Sequence, residues 1–139
     1  ARLETFFKEK IAAIQDLLNN VEPYEHSRVE KIKARIYESL QKLEGVTVDN
    51  NRFEQELIFY IEKLDITEEK IRLQNHLNYF LATMADGDNQ GKKLGFISQE
   101  MGREINTTGS KANQAELQKL VVEMKDHLEQ IKEQVLNVL

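Results

Sequence analysis

The chain contains no cysteine and no tryptophan, and only one proline and six glycines among its 139 residues. Without cysteine, disulfides and thiolate metal sites are excluded, so any metal ligands must come from His, Asp, Glu or carbonyl groups. Little turn material remains, and sheets need frequent turns. No apolar run approaches the length of a membrane span. These absences favour long helices and predict an all-α, cytoplasmic protein with no membrane partner.

Charged residues make up 31% of the chain, aromatic residues 7%, and the formal net charge is −5. A domain of this charge is not a general nucleic-acid binder, so DNA is not expected as a partner and RNA could only meet a local basic patch. The length predicts a single helical domain over residues 1–139. Because the chain starts at Ala1 without an initiator Met, we expect a piece of a longer protein.

Apolar residues at steps of three and four predict about five helices in an elongated arrangement of antiparallel hairpins. Residues 1–45 would form one hairpin. Its first helix would end at Asn19 and Pro23, and its second would stop at Gly45. Residues 52–139 would form a second region that holds the candidate site.

The segment from Arg52 to Met84 contains neither glycine nor proline. At about 1.5 Å per residue an unbroken helix here would be on the order of 50 Å long. Such a helix would project, pair with another chain, or break near Asp65. The spacing of Asp65 and Glu68 is that of an N-cap and an acid at the third helical position, which favours a break.

A fourth helix is predicted to start near Lys92 and to be broken by the run Asn106–Ser110. The last helix carries an apolar heptad seam. The seam residues are Leu117, Val121, Met124, Leu128, Ile131, Val135 and Val138. This helix either packs along another long helix of the same chain or forms a coiled coil between chains.

Two polar runs stand out from this scaffold. In the first, Asp65, Glu69, Arg72 and His76 are spaced by four, three and four, so a continuous helix would align them on one face. Carboxylates and imidazole on one face could bind a divalent metal or transfer protons, and arginine could hold a phosphate. A row of surface ion pairs, worth about 0.2–0.5 kcal/mol each, would explain the same spacing.

The second polar run surrounds Glu100 and Glu104, whose carboxylates share a helix face. Like charges four residues apart are mildly destabilising, so a metal, an arginine or solvent should offset them. Lys92, Lys93 and Arg103 supply nearby positive charge. Phosphodiester chemistry uses both signs, although a solvated helix accounts for the spacing equally well.

Read together, the two runs resemble the YicC/YloC family of bacterial endoribonucleases. Leu64–Leu77 is similar to the family pattern D-I-x-E-E-x-x-R-L-x-x-H, and Gly91–Lys111 is similar to G-R-K-L-D-F-x-x-Q-E-x-x-R-E-x-N-T-x-x-S-K. The tail Ile131–Asn137 resembles the closing R-E-Q-x-Q-N. In this chain Gly95 stands where the family has aspartate, and Gly102 where it has asparagine.

The resemblance implies a stress-associated endoribonuclease that depends on a divalent metal, Mn²⁺ or Mg²⁺, binds RNA and assembles as a homo-oligomer. Family members carry an additional N-terminal domain of about equal size, so the chain resembles the C-terminal helical half. The sequence leaves open whether this half cleaves RNA by itself. A non-catalytic helical oligomerisation or adaptor module is the alternative, which the heptad helix and the acidic charge favour.

Residue chemistry and motif match together assign the candidate site residues. The catalytic residues and metal ligands would be Glu69, His76, Glu100 and Glu104, with Asp65 as a weaker metal ligand. The phosphate contacts would be Arg72, Lys93, Arg103 and Lys111. The residues organising the loop after the fourth helix would be Asn106, Thr107 and Ser110.

Overall fold

The computed structural model describes residues 2–42, 50–87, 89–112 and 114–138. These residues form six helices and no strand, which confirms the all-α prediction. The helices are α1 (Arg2–Asn19), α2 (Val21–Gln41), α3 (Asn50–Leu64), α4 (Thr67–Ala85), α5 (Gly91–Lys111) and α6 (Ala115–Val135). Among these described helices, none is both long and apolar enough to cross a bilayer.

Four helices, α1, α4, α5 and α6, form a bundle in which each helix packs on two neighbours. Short connections make α4 antiparallel to α5 and α5 antiparallel to α6. Phe7 of α1 meets Phe80 of α4 edge to face, with ring centroids 5.4 Å apart, in the middle of the core. The α6 seam from Leu117 to Val135 is buried against α1 and α5. The heptad pattern therefore serves packing within this chain.

The long third segment divides at Asp65 and Ile66, which gives six helices where about five were expected. Asp65 Oδ1 accepts hydrogen bonds from the Thr67 amide at 3.0 Å and from the Thr67 hydroxyl at 2.6 Å. These bonds occupy donors at the start of α4 that no helical carbonyl can reach. Ile66 is fully buried at the break. The N-cap position of α4 is Ile66 instead of the predicted Asp65, so Asp65 and Glu68 do not form a capping box. The Glu68 carboxylate pairs with Arg72 at 3.2 Å.

The predicted end of the first helix at Asn19 is confirmed, and α2 begins two residues later at Val21. Pro23 lies in the first turn of α2, where a missing amide hydrogen costs no helical bond. Gly45, the predicted stop of the second helix, lies outside the described residues.

The hairpin expected over residues 1–45 is not formed by the described part of that segment. Asn20 alone separates α1 from α2, and one residue is too short a link for α2 to turn back along α1. Instead α2 continues past the beginning of α4, where Glu25 pairs with Lys70, and Arg28 reaches the last carbonyl of α5. The apolar stripe of α1 is covered by α4 and α6 instead.

The break expected at Asn106–Ser110 is wrong, because α5 continues to Lys111. The hydroxyls that suggested a loop donate to carbonyls one turn back in the same helix. Thr107 bonds to Arg103 O at 2.9 Å, and Ser110 bonds to Asn106 O at 3.1 Å. Thus Asn106, Thr107 and Ser110 organise no loop.

Candidate functional site

The two polar runs meet along the contact between α4 and α5, and we call the surface over this contact the α4–α5 groove. Arg72 Nε of α4 lies 3.0 Å from Glu104 Oε1 of α5. One turn towards the start of α4, Glu69 Oε1 lies 2.7 Å from Lys111 Nζ of α5. Arg72 also approaches Glu69 Oε1 at 3.7 Å, so it joins both carboxylates. The structure therefore gathers four of the predicted site residues into one network across two helices.

Both acids of this network are buried. Glu69 is 2% exposed and Glu104 is 5% exposed. In each, Oε1 contacts a cation, whereas Oε2 is buried and has no hydrogen-bond partner. Burying an ionised carboxylate is costly unless its oxygens are satisfied, so the bundle tolerates here a cost that a purely structural helix contact would avoid. Such unsatisfied groups mark positions where a ligand or a reacting group can bind.

Arg72 is the half-exposed centre of the network. Its hydrogen bond to Glu104 raises the pKa of the guanidinium, with a smaller contribution from Glu68. A permanently charged, planar guanidinium can bind a phosphate with two parallel hydrogen bonds. The exposed Glu68 contact at 3.2 Å is the one that an incoming phosphate would replace most easily.

Asp65 lies next to the network, and its carboxylate accepts hydrogen bonds from Thr67. The hydrogen bond from Thr67 lowers the pKa of this carboxyl group, and the positive charges of Lys111 and Lys70 lower it further. The backbone carbonyl of Asp65, rather than its carboxylate, contacts Lys111 Nζ at 3.3 Å. Asp65 therefore serves the start of α4 and the position of Lys111, and its use as a weaker metal ligand stays a prediction.

His76 and Glu100 occupy the next level of the groove. His76 follows Arg72 by four residues, and Glu100 precedes Glu104 by four residues. Because α4 and α5 are antiparallel, both steps move about 6 Å in the same direction. The two side chains are partly buried. These two described residues share no hydrogen bond, and Glu100 lies 3.9 Å from the exposed Arg103.

The remaining predicted phosphate contacts are more distant from the acids. Arg103 projects from the solvent side of α5. Lys93 is exposed near the start of α5, eleven residues before Glu104, which corresponds to about 16 Å along the helix. The four predicted cations therefore do not converge on the two buried acids.

In the part of the chain that the structure describes, no three His, Asp or Glu side chains come together as a metal-binding group. Glu69, His76, Glu100 and Glu104 consequently do not form one four-ligand site. Glu69 and Glu104 fit metal chemistry best, since each keeps a buried oxygen without a hydrogen-bond partner. Two carboxylates completed by water and substrate phosphate are a usual way to hold Mg²⁺.

Arg28 supports the site, although no sequence pattern predicted its role. It is buried, and its Nη1 donates to the carbonyl of Lys111 at 2.9 Å, which fixes the residue that pairs with Glu69. Burial lowers the pKa of Arg28, while the nearby charges of Glu25 and Asp65 oppose that change. No local pattern indicates this contact, because the two residues are far apart in sequence.

The substituted position Gly95 lies outside the groove. A Cβ atom there would lie 3.6 Å from Val135 Cγ1, which places this position on the α6 side of α5. Ser98 donates to its carbonyl at 2.8 Å within the same helix. The glycine therefore changes the packing surface and leaves the acids between α4 and α5 untouched.

Comparison with known proteins identifies the family of the chain. Residues 21–139 match the family model described as endoribonuclease YicC-like, C-terminal. The chain is 41% identical over 138 residues to the probable endoribonuclease YicC of Clostridioides difficile (strain 630), covering 94% of this chain and 46% of that protein. It is 38% identical over 101 residues to the protein of the same name from Haemophilus influenzae, covering 71% of this chain and 35% of that protein. The chain thus spans less than half the length of these relatives. It belongs to the YicC-like endoribonuclease family and contains that family's C-terminal domain.

Proposed function

We propose that this chain supplies the cleavage site of a cytoplasmic, stress-associated endoribonuclease, and that the site is the groove between α4 and α5. The observation that carries the proposal is the network of Glu69, Arg72, Glu104 and Lys111, in which two buried carboxylates each keep a free oxygen. The names of the relatives, probable endoribonuclease, supply RNA as the substrate.

The groove offers the groups that phosphodiester cleavage requires. Arg72 and Lys111 neutralise charge on the phosphate oxygens, which grows in the transition state. In this proposal Glu104, Glu100 and His76 remove a proton from the attacking oxygen and return one to the leaving oxygen. An RNA phosphate that takes Arg72 from Glu68 leaves the Glu104 contact intact, so the guanidinium can bind substrate and still hold a carboxylate in place.

The full-length protein is proposed to require Mn²⁺ or Mg²⁺, which would stabilise the developing negative charge on the phosphate. Glu69 and Glu104 would supply the protein ligands, and the RNA phosphate and water the others. Lys111 and Arg72 offset the negative charge of these two acids in the described structure.

Cleavage of a labelled RNA by the full-length protein tests the assignment. With Mn²⁺ or Mg²⁺ present, Glu100→Gln and His76→Ala should each lower the cleavage rate by about 100-fold or more, the usual contribution of a general acid or base. The matched controls Glu123→Gln on α6 and His26→Ala on α2 remove the same groups from exposed positions. Undiminished metal-dependent cleavage by both groove variants would overturn the residue assignment.

Homo-oligomer formation is a further part of the proposal. Helix α3 packs mainly on α2, and its Ile58 side chain is 53% exposed. Apolar side chains at such positions are common at protein interfaces. Light scattering on the full-length protein should give the mass of an assembly, and a monomer at high concentration would contradict this part.

A non-catalytic oligomerisation or adaptor role would predict RNA-independent assembly and no cleavage under any metal condition. The cleavage experiment therefore discriminates between the two classes.

A further inference from the structure

Two exposed aromatic rings border the groove beyond His76 and Glu100. Tyr79 on α4 is 51% exposed, and Phe96 on α5 is 63% exposed. Tyr79 follows Arg72 by seven residues and Phe96 precedes Glu104 by eight. In antiparallel helices both rings are therefore displaced in the same direction, by about 10–12 Å from the Arg72–Glu104 contact. The two rings therefore lie at about the same level on neighbouring helices, Tyr79 on the Arg72 face of α4 and Phe96 on the Arg103 face of α5.

Positive charge lies on both sides of this aromatic pair. Lys92 and Lys93 are exposed one turn before Phe96, and Arg72 lies two turns along α4 in the other direction. Exposed rings that alternate with cations are the arrangement of grooves that bind single-stranded nucleic acid, in which bases stack on the rings while the cations contact phosphates. Protein interfaces instead deplete charged residues at their centres.

We propose that Tyr79 and Phe96 are base-stacking residues that bind unpaired nucleotides of the RNA and set the distance from those nucleotides to the cleaved phosphate. A double helix keeps its base faces stacked inside, so the rings select single-stranded segments. Lys93, which lies too far from the acids to act in cleavage, contacts the phosphates beside these bases. This inference rests on the proposed function and names its specificity residues.

Binding of a fluorescent single-stranded RNA to the full-length protein tests whether the two rings stack on bases. Tyr79→Ala and Phe96→Ala should each weaken binding by about 5-fold to 100-fold, the usual effect of losing one stacking ring. Tyr79→Phe and Phe96→Tyr keep a ring and should retain binding. Tyr24→Ala removes an exposed ring from α2, and Ile71→Ala removes an exposed apolar side chain from another face of α4, so both should leave the affinity unchanged.

An oligomer of abasic ribose phosphates with the same length supplies the second arm. It keeps the phosphates but offers nothing to stack, so wild type should bind it more weakly than RNA, and the two alanine variants should bind it as well as wild type does. Equal losses on RNA and on the abasic oligomer, or unchanged RNA binding by both alanine variants, would overturn the stacking assignment. A changed oligomer mass in either alanine variant would overturn it too, because the ring would then be covered by a second copy of the chain.

The failure of the proposed function gives a different result. In that case the wild-type protein neither cleaves nor binds the RNA. If the wild type cleaves RNA and the alanine variants bind it normally, only the stacking assignment fails.

Discussion

Helix α5 packs against α6 through glycines and against α4 through charged side chains. Towards α6 it presents Gly95, Gly102 and Gly109, spaced by seven residues, with Val135, Leu128 and Val121 of α6 against them. Towards α4 it presents Glu104, Lys111 and other polar groups. On the α6 face the missing side chains let the helices approach closely, so packing stabilises the bundle. On the α4 face two carboxylates are buried beside cations, and one oxygen of each has no hydrogen-bond partner.

The largest expected effect on stability comes from separating the buried charges of the α4 face. Lys111→Met removes the ammonium group 2.7 Å from Glu69 and leaves that carboxylate buried. Breaking a buried pair usually costs about 3–5 kcal/mol, and we expect about 2 kcal/mol here because Lys111 is partly exposed and Arg72 remains nearby. Urea unfolding measures the free energy.

The control for this prediction is Lys8→Met, which breaks an exposed ion pair with Glu4 and should change stability by less than about 0.5 kcal/mol. In the double variant Lys111→Met/Glu69→Gln the neutral amide should recover part of the loss. Equal effects of the two lysine substitutions would show that the α4 face holds no costly charge.

The next effect concerns the α6 face. In Gly109→Ala the new Cβ would lie 3.1 Å from Val121 Cγ1, and a buried β-branched side chain cannot move aside easily. Overpacking costs about 1–3 kcal/mol and the helix preference of alanine returns up to about 1 kcal/mol, so we expect a net loss of about 1 kcal/mol.

Gly95→Ala is the matched substitution with the opposite expected sign. Its Cβ would make an ordinary contact of 3.6 Å with Val135, so helix preference should dominate and stabilise the protein by about 0.5–1 kcal/mol. Thermal unfolding of both variants measures the contrast. If both substitutions stabilise the protein equally, the close packing of α6 does not require a glycine at residue 109.

The pH dependence of Asp65 gives an effect of similar size. The Thr67 hydrogen bond and the charges of Lys111 and Lys70 lower the pKa of Asp65 in the folded state. Its stabilisation is therefore present above the ordinary carboxyl value of about 3.9 and is lost as pH falls through the lower folded value. Asp65→Ala should cost about 1 kcal/mol near neutral pH, as the loss of a helix-start side chain usually does.

Unfolding free energies of wild type and Asp65→Ala, measured in urea from neutral pH into acid, test this sign. The difference between the two proteins should shrink as the solution becomes more acidic than the ordinary carboxyl pKa. A difference that grows in acid would contradict the lowered pKa.

The smallest expected effect concerns Arg72, which pairs with the buried Glu104 and with the exposed Glu68. Glu68 is 78% exposed in its pair with Arg72, so Glu68→Gln should change the unfolding free energy by less than about 0.5 kcal/mol. Arg72 keeps its bond to Glu104 in this variant. A loss above about 1 kcal/mol would mean that the exposed contact holds Arg72 in place.

The sequence predicts the helices and the α6 seam well, because apolar spacing depends on local geometry that every helix shares. It also indicates the charged groups of the groove, since Asp65–His76 and Glu100–Lys111 are unusually polar. It cannot predict that α5 continues through Asn106–Ser110, because the same hydroxyls that favour loops can bond to carbonyls within a helix.

Contacts between distant segments explain the other differences. The direction of α2 depends on Lys70 of α4, which pairs with Glu25 of α2. It also depends on Arg28 of α2, which donates to the Lys111 carbonyl of α5, and no local sequence pattern connects these residues. For the segment Arg52–Met84 the sequence allows a projecting helix, a helix paired with another chain, or a break near Asp65. The break is observed, and the burial of Ile66 in the core accompanies it. The spread of Glu69, His76, Glu100 and Glu104 along the groove, instead of around one point, depends on the register of α4 against α5.

The single-turnover rate of RNA cleavage by Glu104→Gln full-length protein at saturating RNA tests the central claim most directly. Glutamine keeps the shape of the side chain and its contact with Arg72 but removes the charge that the groove buries. We predict a rate at least about 100-fold below that of wild type, with RNA still bound, while Glu123→Gln cleaves normally. A Glu104→Gln rate equal to that of wild type would contradict the assignment of the α4–α5 groove as the cleavage site.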